Sequence, residues 1–215
     1  MVTRIVNFFG HAAVASAVDA VPAAVLGAML PDFASMCRAR LAEPADADVA
    51  RGIAHHHAAD AVFHALPAAL VLMRELDERL ARAGCARGPR RATSHVGTEL
   101  LLDGALVGER AYRDAYTSAL ASEPSIAAVR WRDDDGPPRF TLLVARLRAH
   151  GAPDDLRDPA AITARLHRML AHRPLLAPNA GDLVAIERAL AEQQAKVVAA
   201  AGAIVRAVIE RTAHC

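Results

Sequence analysis

Apolar positions recur every three or four residues along almost the whole chain, and no stretch alternates apolar with polar residues as a half-buried strand would. The spacing therefore predicts an all-α protein. A first helix is expected over Phe8 to Val18, and a second from Pro22, at its N1 position, to about Leu30. Pro31-Asp32 is expected to stop that second helix, with a short turn or helix through Met36 to Leu41. Asp46 or Asp48 can cap a long helix carrying Gly52 to Leu66, and Pro67 opens another that reaches Ala83. After a loop over Gly84 to Pro89, helices are expected over Arg91 to Val107 and Glu109 to Ala121. Asp133-Asp134-Asp135-Gly136-Pro137-Pro138 marks a flexible loop over about 122–138. Phe140 to His150, Pro159 to His172 and Asp182 to about Thr212 complete the set, the last with Leu183, Ile186, Leu190, Val197, Ile204 and Val208 on one stripe. With no internal repeat, the pattern suggests one helical domain over residues 1–215.

Composition narrows the class further. The chain of 215 residues is 53% hydrophobic, 23% charged and 4% aromatic, which excludes disordered and collagen-like classes. A net charge of +1 argues against nucleic-acid binding through a strongly basic surface. Nearly all the positive charge is arginine, suited to bidentate contacts with phosphate and carboxylate. Cys37, Cys85 and Cys215 are widely spaced and form no C-x-x-C, a pattern that fits reduced thiols in a cytoplasmic protein. Ile5 to Leu30 is mostly apolar, and Arg4 ahead of it can mimic a signal peptide. Asn7, His11, Asp19 and Pro22 are costly inside a bilayer, so a buried helix pair without stable membrane insertion is expected.

Two ladders at four-residue spacing carry the chemistry. His56, Asp60 and His64 lie in GIAHHHAADAVFHALP; His95, Glu99 and Asp103 lie in SHVGTELLLDGAL. Residues four apart on a helix stand nearly above one another, so each ladder projects its groups over about two turns. Imidazole with carboxylate is a ligand set for first-row divalent metals, and helical bundles build such sites from facing helices. A lone buried histidine is more often hydrogen-bonded structure than a ligand; two independent ladders favour a metal site. The triplet His55-His56-His57 leaves open whether His56 or His57 is the ligand, since His57 stands three before Asp60. His11 interrupts an apolar helix, and Asp32 sits at the expected helix break, where an aspartate after proline is also a common turn residue.

The order of NFFGH, LGAMLPDF, the first ladder with its closing HALP, the second ladder, PPRF and RMLAHRP resembles the acyl carrier protein phosphodiesterase family. That family looks like a rearranged relative of the HD-domain metal-dependent phosphohydrolases. The resemblance runs from Asn7 to about Pro174, and its specific part is the order and spacing of the motifs. His11 matches the histidine of the family's NF-x-x-H stretch, Asp32 the aspartate of GN-L-x-x-DF, and His56 and Asp60 those of H-R-x-I-D. Pro67 matches the following proline, Asp103 the second aspartate of D-x-x-x-D-H-F-L, with Glu99 at the first, and Pro137, Pro138, Arg139 and Phe140 match outright. The chain departs at His64, where the family has aspartate, at His57 for arginine, at Gly104 for the histidine of D-H-F-L, and at Ala28 for the asparagine of GN-L.

The resemblance implies a metal-dependent hydrolase that releases 4′-phosphopantetheine from holo-acyl carrier protein. It implies a divalent metal (Mn, Mg or Fe) held by His11, Asp32, His56, Asp60, His64 and Asp103. Asp32 and Glu99 are then catalytic, with Glu99 accepting a proton from water, and Arg91 and Arg139 bind substrate. An acidic carrier protein would dock on arginines, for which Arg87, Arg90, Arg91, Arg130, Arg132 and Arg139 are candidates. The alternatives are an HD-type phosphohydrolase acting on a nucleotide or other small phosphoester, a di-iron oxidative enzyme, and a non-catalytic helical relative.

Overall fold

The computed structural model describes residues 7–213. Over that span the protein is all-helical, with a single isolated β-bridge, Leu41 to Trp131, in place of any strand. The helices are α1 (Phe8–Val18), α2 (Pro22–Cys37), α3 (Ala47–Ala65), α4 (Pro67–Arg82), α5 (Arg87–Leu106), α6 (Arg110–Ala121), α7 (Glu123–Ala128) and α8 (Gly136–His150). A 3-10 turn at Asp154–Arg157, then α9 (Pro159–Leu170) and α10 (Ala180–Thr212), complete the described chain. Proline opens α2, α4 and α9 as the pattern predicts, because its missing N–H falls where a helix has no acceptor for it. Of the two candidate caps for α3, Asp46 serves: its Oδ1 accepts from the backbone N–H groups of Asp48 and Val49, at 2.8 and 3.0 Å. Among the described residues no helix is long and apolar enough to cross a membrane.

Three expectations are corrected. First, α2 does not stop at Pro31-Asp32 but runs through them to Cys37. An internal proline costs about 3 kcal/mol, whereas each large apolar side chain buried recovers roughly 1.5–3 kcal/mol, and Leu26, Met29, Leu30 and Phe33 are all within 1% of full burial. Secondly, the expected loop up to Pro89 is shorter, because α5 begins at Arg87 and takes Pro89 into its first turn. Thirdly, the segment 122–138 is not a floppy loop. It holds α7, the isolated bridge residue Trp131 and the first turn of α8, where Pro137 and Pro138 again sit at positions that need no donor. Backbone bonds from Ala42 to Arg130 and from Arg132 to Arg40, both 2.9 Å, tie it to the residues after α2, as does the Arg40–Asp133 pair.

Where the pattern suggests one helical domain, the contacts cluster into two compact units. The first comprises residues up to Phe63, Val107–Pro153 and the chain from Val205. Its central element is α2, which packs against α1, α6 and α8 and is buried on nearly every side. Most of the aromatic side chains of the protein gather here: Phe8 lies 5.5 Å from Phe33 and 6.0 Å from Tyr116, and Phe33 6.3 Å from Phe140, between ring centroids. Against α3, α2 makes a backbone-to-backbone approach. A Cβ on Gly52 would overlap the Ala24 carbonyl oxygen and lie 2.8 Å from both the Ala28 nitrogen and the Gly27 Cα.

The second unit comprises His64–Leu106 and Asp154–Ile204. Here α4 and α5 form a helical hairpin, and α5 also packs on the 3-10 turn and α9. Leu72, Leu76 and Leu80 of α4, Val96 and Leu100 of α5, Ile162 and Leu166 of α9, and Ile186, Leu190 and Val197 of α10 are buried at helical spacing. The start of α10 is a reciprocal cap: Asn179 Oδ1 accepts from Asp182 N–H at 2.9 Å, and Asp182 Oδ2 accepts from Asn179 N–H at 3.0 Å. Asp182 also accepts the Ala86 N–H at 2.8 Å and so ties the α4–α5 turn to α10.

Gly52→Ala is expected to destabilise the protein by about 1–3 kcal/mol, because a new methyl group meets rigid backbone. Gly108→Ala, where a Cβ has no neighbour within 4 Å, should leave the midpoint near wild type. Urea denaturation of both variants with wild type checks this.

Candidate metal centres

Two groups of three potential ligands form among the described residues, and each lies wholly within one unit. In each group the ligand atoms are all within 4.8 Å of one another. The first joins His11 of α1 to His56 and Asp60 of α3; the second joins His64, at the end of α3, to His95 and Glu99 of α5.

In the first group the two imidazoles stack with centroids 3.8 Å apart and planes at 28°. His11 Nε2 lies 3.2 Å from Asp60 Oδ1, and His56 Nε2 lies 3.5 Å from Asp60 Oδ2. His56 Nδ1 is 2.8 Å from the Ala28 carbonyl, which can only accept, so that nitrogen carries the proton and Nε2 presents a lone pair. The glycine crossing of α2 and α3 makes this bond possible, since Ala28 follows Gly27 and His56 lies one turn beyond Gly52. Burial, then the neighbouring His11, hold His56 well below the usual imidazole range against the opposing pull of Asp60 and the Ala28 carbonyl. A neutral imidazole lone pair thus faces a carboxylate, two electron-rich groups that a cation would bring together. The residues present fit a divalent ion: His56 is oriented by a carbonyl on its far nitrogen, as metal-ligating histidines are. The buried histidines are joined by an Asp60 side chain that is 39% exposed and open to solvent.

The triplet resolves into three roles. His56 is the ligand candidate and His57 is exposed. His55 turns to α10: the Thr212 hydroxyl donates to the Val208 carbonyl at 2.9 Å and accepts from His55 Nε2, 3.1 Å away. Burial, then His11, lower the His55 pKa as well.

In the second group, Glu99 Oε1 lies 3.1 Å from His64 Nε2 and 3.1 Å from His95 Nε2, which are 2.8 Å from each other. Glu99 is 3% exposed, and its Oε2 has no hydrogen-bond partner. Burial would raise this carboxyl, but the hydrogen bonds and charge of His64 and His95 outweigh it and hold the group below the usual carboxylate range.

The two sequence ladders are therefore each broken. Four-residue steps drift about 40° each around a 3.6-residue helix, or about 80° from the first rung to the third, and the third rung leaves its group in both. His64 joins His95 and Glu99, while Asp103, 2% exposed, belongs to neither group. Asp32, 3% exposed, is also outside both; it sits on α2 one turn beyond Ala28. His95 is absent from the expected ligand set although it stands in the second ladder, four residues before Glu99; what the sequence lacks is any sign that His64 is its neighbour. Gly104 is accounted for: a Cβ there would overlap the Leu156 carbonyl oxygen, so no side chain fits.

Of the arginines, Arg139 is occupied, donating to Asp135 at 2.6 Å and to the Cys37 carbonyl at 3.3 Å. Arg87, Arg90 and Arg91 line a cleft of about 460 Å³ with Arg74, which the sequence did not single out, and Asp77, which pairs with Arg90 at 3.1 Å. Cys37 and Cys85 are free and buried; burial, then the Asp182 carboxylate, push the Cys85 thiol up to about 12. Cys215 lies outside the described residues.

His56 gives a pH dependence whose sign is fixed by its lowered pKa. The unfolded chain binds a proton near 6.5 that the folded one refuses, so this contribution is complete above that pH and is lost as the pH falls through it. Urea titrations of metal-free protein between pH 7.5 and about 4.5 are expected to show stability falling with pH, with a shallower fall in His56→Gln.

Compared with protein-family models, with curated proteins and with solved structures, the chain matches none.

Proposed function

We propose that the protein is a metal-dependent phosphodiester hydrolase of the acyl carrier protein phosphodiesterase kind, related in architecture to the HD-domain phosphohydrolases. The observation that carries this is the group His11, His56 and Asp60, in which the far nitrogen of His56 is fixed by the Ala28 carbonyl at 2.8 Å. These are three of the positions on which the family resemblance rests, drawn from two separate helices.

A divalent ion bound there would supply Lewis-acid polarisation of the phosphoryl group and water at neutral pH. The chain's own residues do the rest. His56 keeps its Nε2 lone pair directed at the site through the proton it gives to Ala28. His11 stacks on that ring and limits its rotation. Asp60 provides the anionic ligand at the solvent-facing side, where a phosphodiester arrives. Asp32, buried on α2 one turn past Ala28, is the further carboxylate of this reading. Glu99 is held between His64 and His95 and is assigned no proton transfer at this group. The cleft with Arg74, Arg87, Arg90 and Arg91 is the docking surface for an acidic carrier protein, its four guanidiniums offset by the single carboxylate of Asp77. Arg139, which pairs with the exposed Asp135, and Arg91 of the cleft are the substrate-binding arginines of this reading.

With Mn²⁺ added, the protein is expected to convert holo-acyl carrier protein to the apo form, read as loss of the 4′-phosphopantetheine mass. Asp60→Asn should lower the rate at least about 100-fold with helix content unchanged by circular dichroism. Full activity in Asp60→Asn, or no cleavage of this or any phosphodiester offered, would overturn the reading.

A further inference from the structure

We propose that His64, His95 and Glu99 form a second, independent metal site, selective for a borderline divalent ion such as Zn²⁺. Nothing in the phosphodiesterase reading requires it, and the family resemblance places an aspartate at the position of His64.

The geometry is that of three converging donors. The ligand atoms make a nearly equilateral triangle with sides of 2.8, 3.1 and 3.1 Å. An ion at the usual zinc distance of ~2.0–2.1 Å from all three atoms would stand roughly 1.1 Å out of their plane, so bonding distances are reached without moving the helices. Without an ion the arrangement is poorly satisfied. Two imidazole nitrogens meet at 2.8 Å, where at most one proton can lie between them, and both also face the same carboxylate oxygen. The carboxylate is buried and has a second oxygen with no hydrogen-bond partner. Burying a charged group in that way is costly unless a cation shares the site.

The donor set selects the ion. Two imidazoles with one carboxylate suit zinc and its transition-metal neighbours, whereas Mg²⁺ and Ca²⁺ prefer oxygen ligands. Exposure indicates what kind of site it is. His64 and His95 are 38% and 33% exposed, so the buried carboxylate forms the floor and the imidazoles the rim. Three protein ligands with a solvent-facing side leave a position for water or an exogenous ligand, unlike the closed four-ligand sites that serve structure alone. His64, His95 and Glu99 all belong to the second compact unit, so this site is complete without any residue of the first group.

The test uses the full chain, made without a histidine tag, stripped with chelator and titrated with Zn²⁺ against a chromophoric competitor. Wild type should bind two equivalents. His95→Ala, a change at a half-exposed position, should lose one of them or weaken it at least about 100-fold, while Asp60→Asn keeps it. Co²⁺ should give a visible absorption band in wild type and Asp60→Asn that is reduced in His95→Ala. A single equivalent that disappears in His95→Ala but not in Asp60→Asn supports the proposal equally. It is overturned if His95→Ala, and Glu99→Gln where that variant folds, leave the number and affinity of tightly bound Zn²⁺ unchanged. A single equivalent lost alike in His95→Ala and Asp60→Asn also overturns it. Hydrolysis followed in the same preparations separates the two claims: zinc lost in His95→Ala with hydrolysis retained leaves both standing, whereas wild type that binds the His95-dependent zinc but cleaves no phosphodiester defeats only the phosphodiesterase reading.

Discussion

Helices α2 and α3 meet backbone to backbone at Gly27 and Gly52, and the first unit is arranged around that crossing. With no side chain between them, the Ala28 carbonyl comes within hydrogen-bond reach of His56 and fixes which ring nitrogen carries its proton. One turn further along α3, Asp60 meets the other nitrogen, and α1, packed on α2, brings His11 over the His56 ring. A larger residue at either glycine would have to separate the helices and so remove the constraint on the imidazole. The continuity of α2 through Pro31 belongs to the same arrangement, since Phe33 beyond the proline joins the aromatic cluster on which α1 and α6 also pack.

The two ligand groups use the same chemistry with opposite burial. In the first, the imidazoles are buried and the carboxylate is partly exposed; desolvation keeps His56 neutral, the form that can ligate. In the second, the carboxylate is buried and the imidazoles are partly exposed; both imidazoles lie within hydrogen-bond reach of Glu99 and hold its carboxyl below the usual carboxylate range despite its burial. Each arrangement leaves the group able to donate a lone pair, by different balances of desolvation and neighbouring charge. Each also leaves part of the site open to solvent, which suits exchange of ligands more than a purely structural role.

Gly104, His64 and His57 have unequal physical weight. Gly104 is imposed by packing, because the Leu156 backbone occupies the space a side chain would need. His64 retains a donor atom and finds new partners in His95 and Glu99. His57 is exposed and joins neither group. Arginine, abundant in the sequence, is divided by its neighbours: Arg139 and Arg40 are committed to aspartates of the segment after α7, whereas Arg74, Arg87, Arg90 and Arg91 gather along one cleft.

Much of the secondary structure was legible in the sequence, because apolar spacing and the prolines that open α2, α4 and α9 act within a few residues of one another. The donors His11, His56, Asp60, His64, His95 and Glu99 were also visible, as imidazoles and carboxylates at four-residue intervals or in an apolar helix. Which of them meet was not, since four-residue steps drift around a helix and only the facing helix decides where a ladder breaks. Thus His64 leaves the ladder of His56 and Asp60 for α5, and Asp103 leaves that of His95 and Glu99. The passage of α2 through Pro31 and the order of residues 122–138 were likewise decided by burial and long-range backbone bonds, energies that no local pattern carries. The sequence by itself determined the helices and the kinds of ligand; tertiary packing decided their partners, because a ligand group is a relation between helices that are distant in the chain.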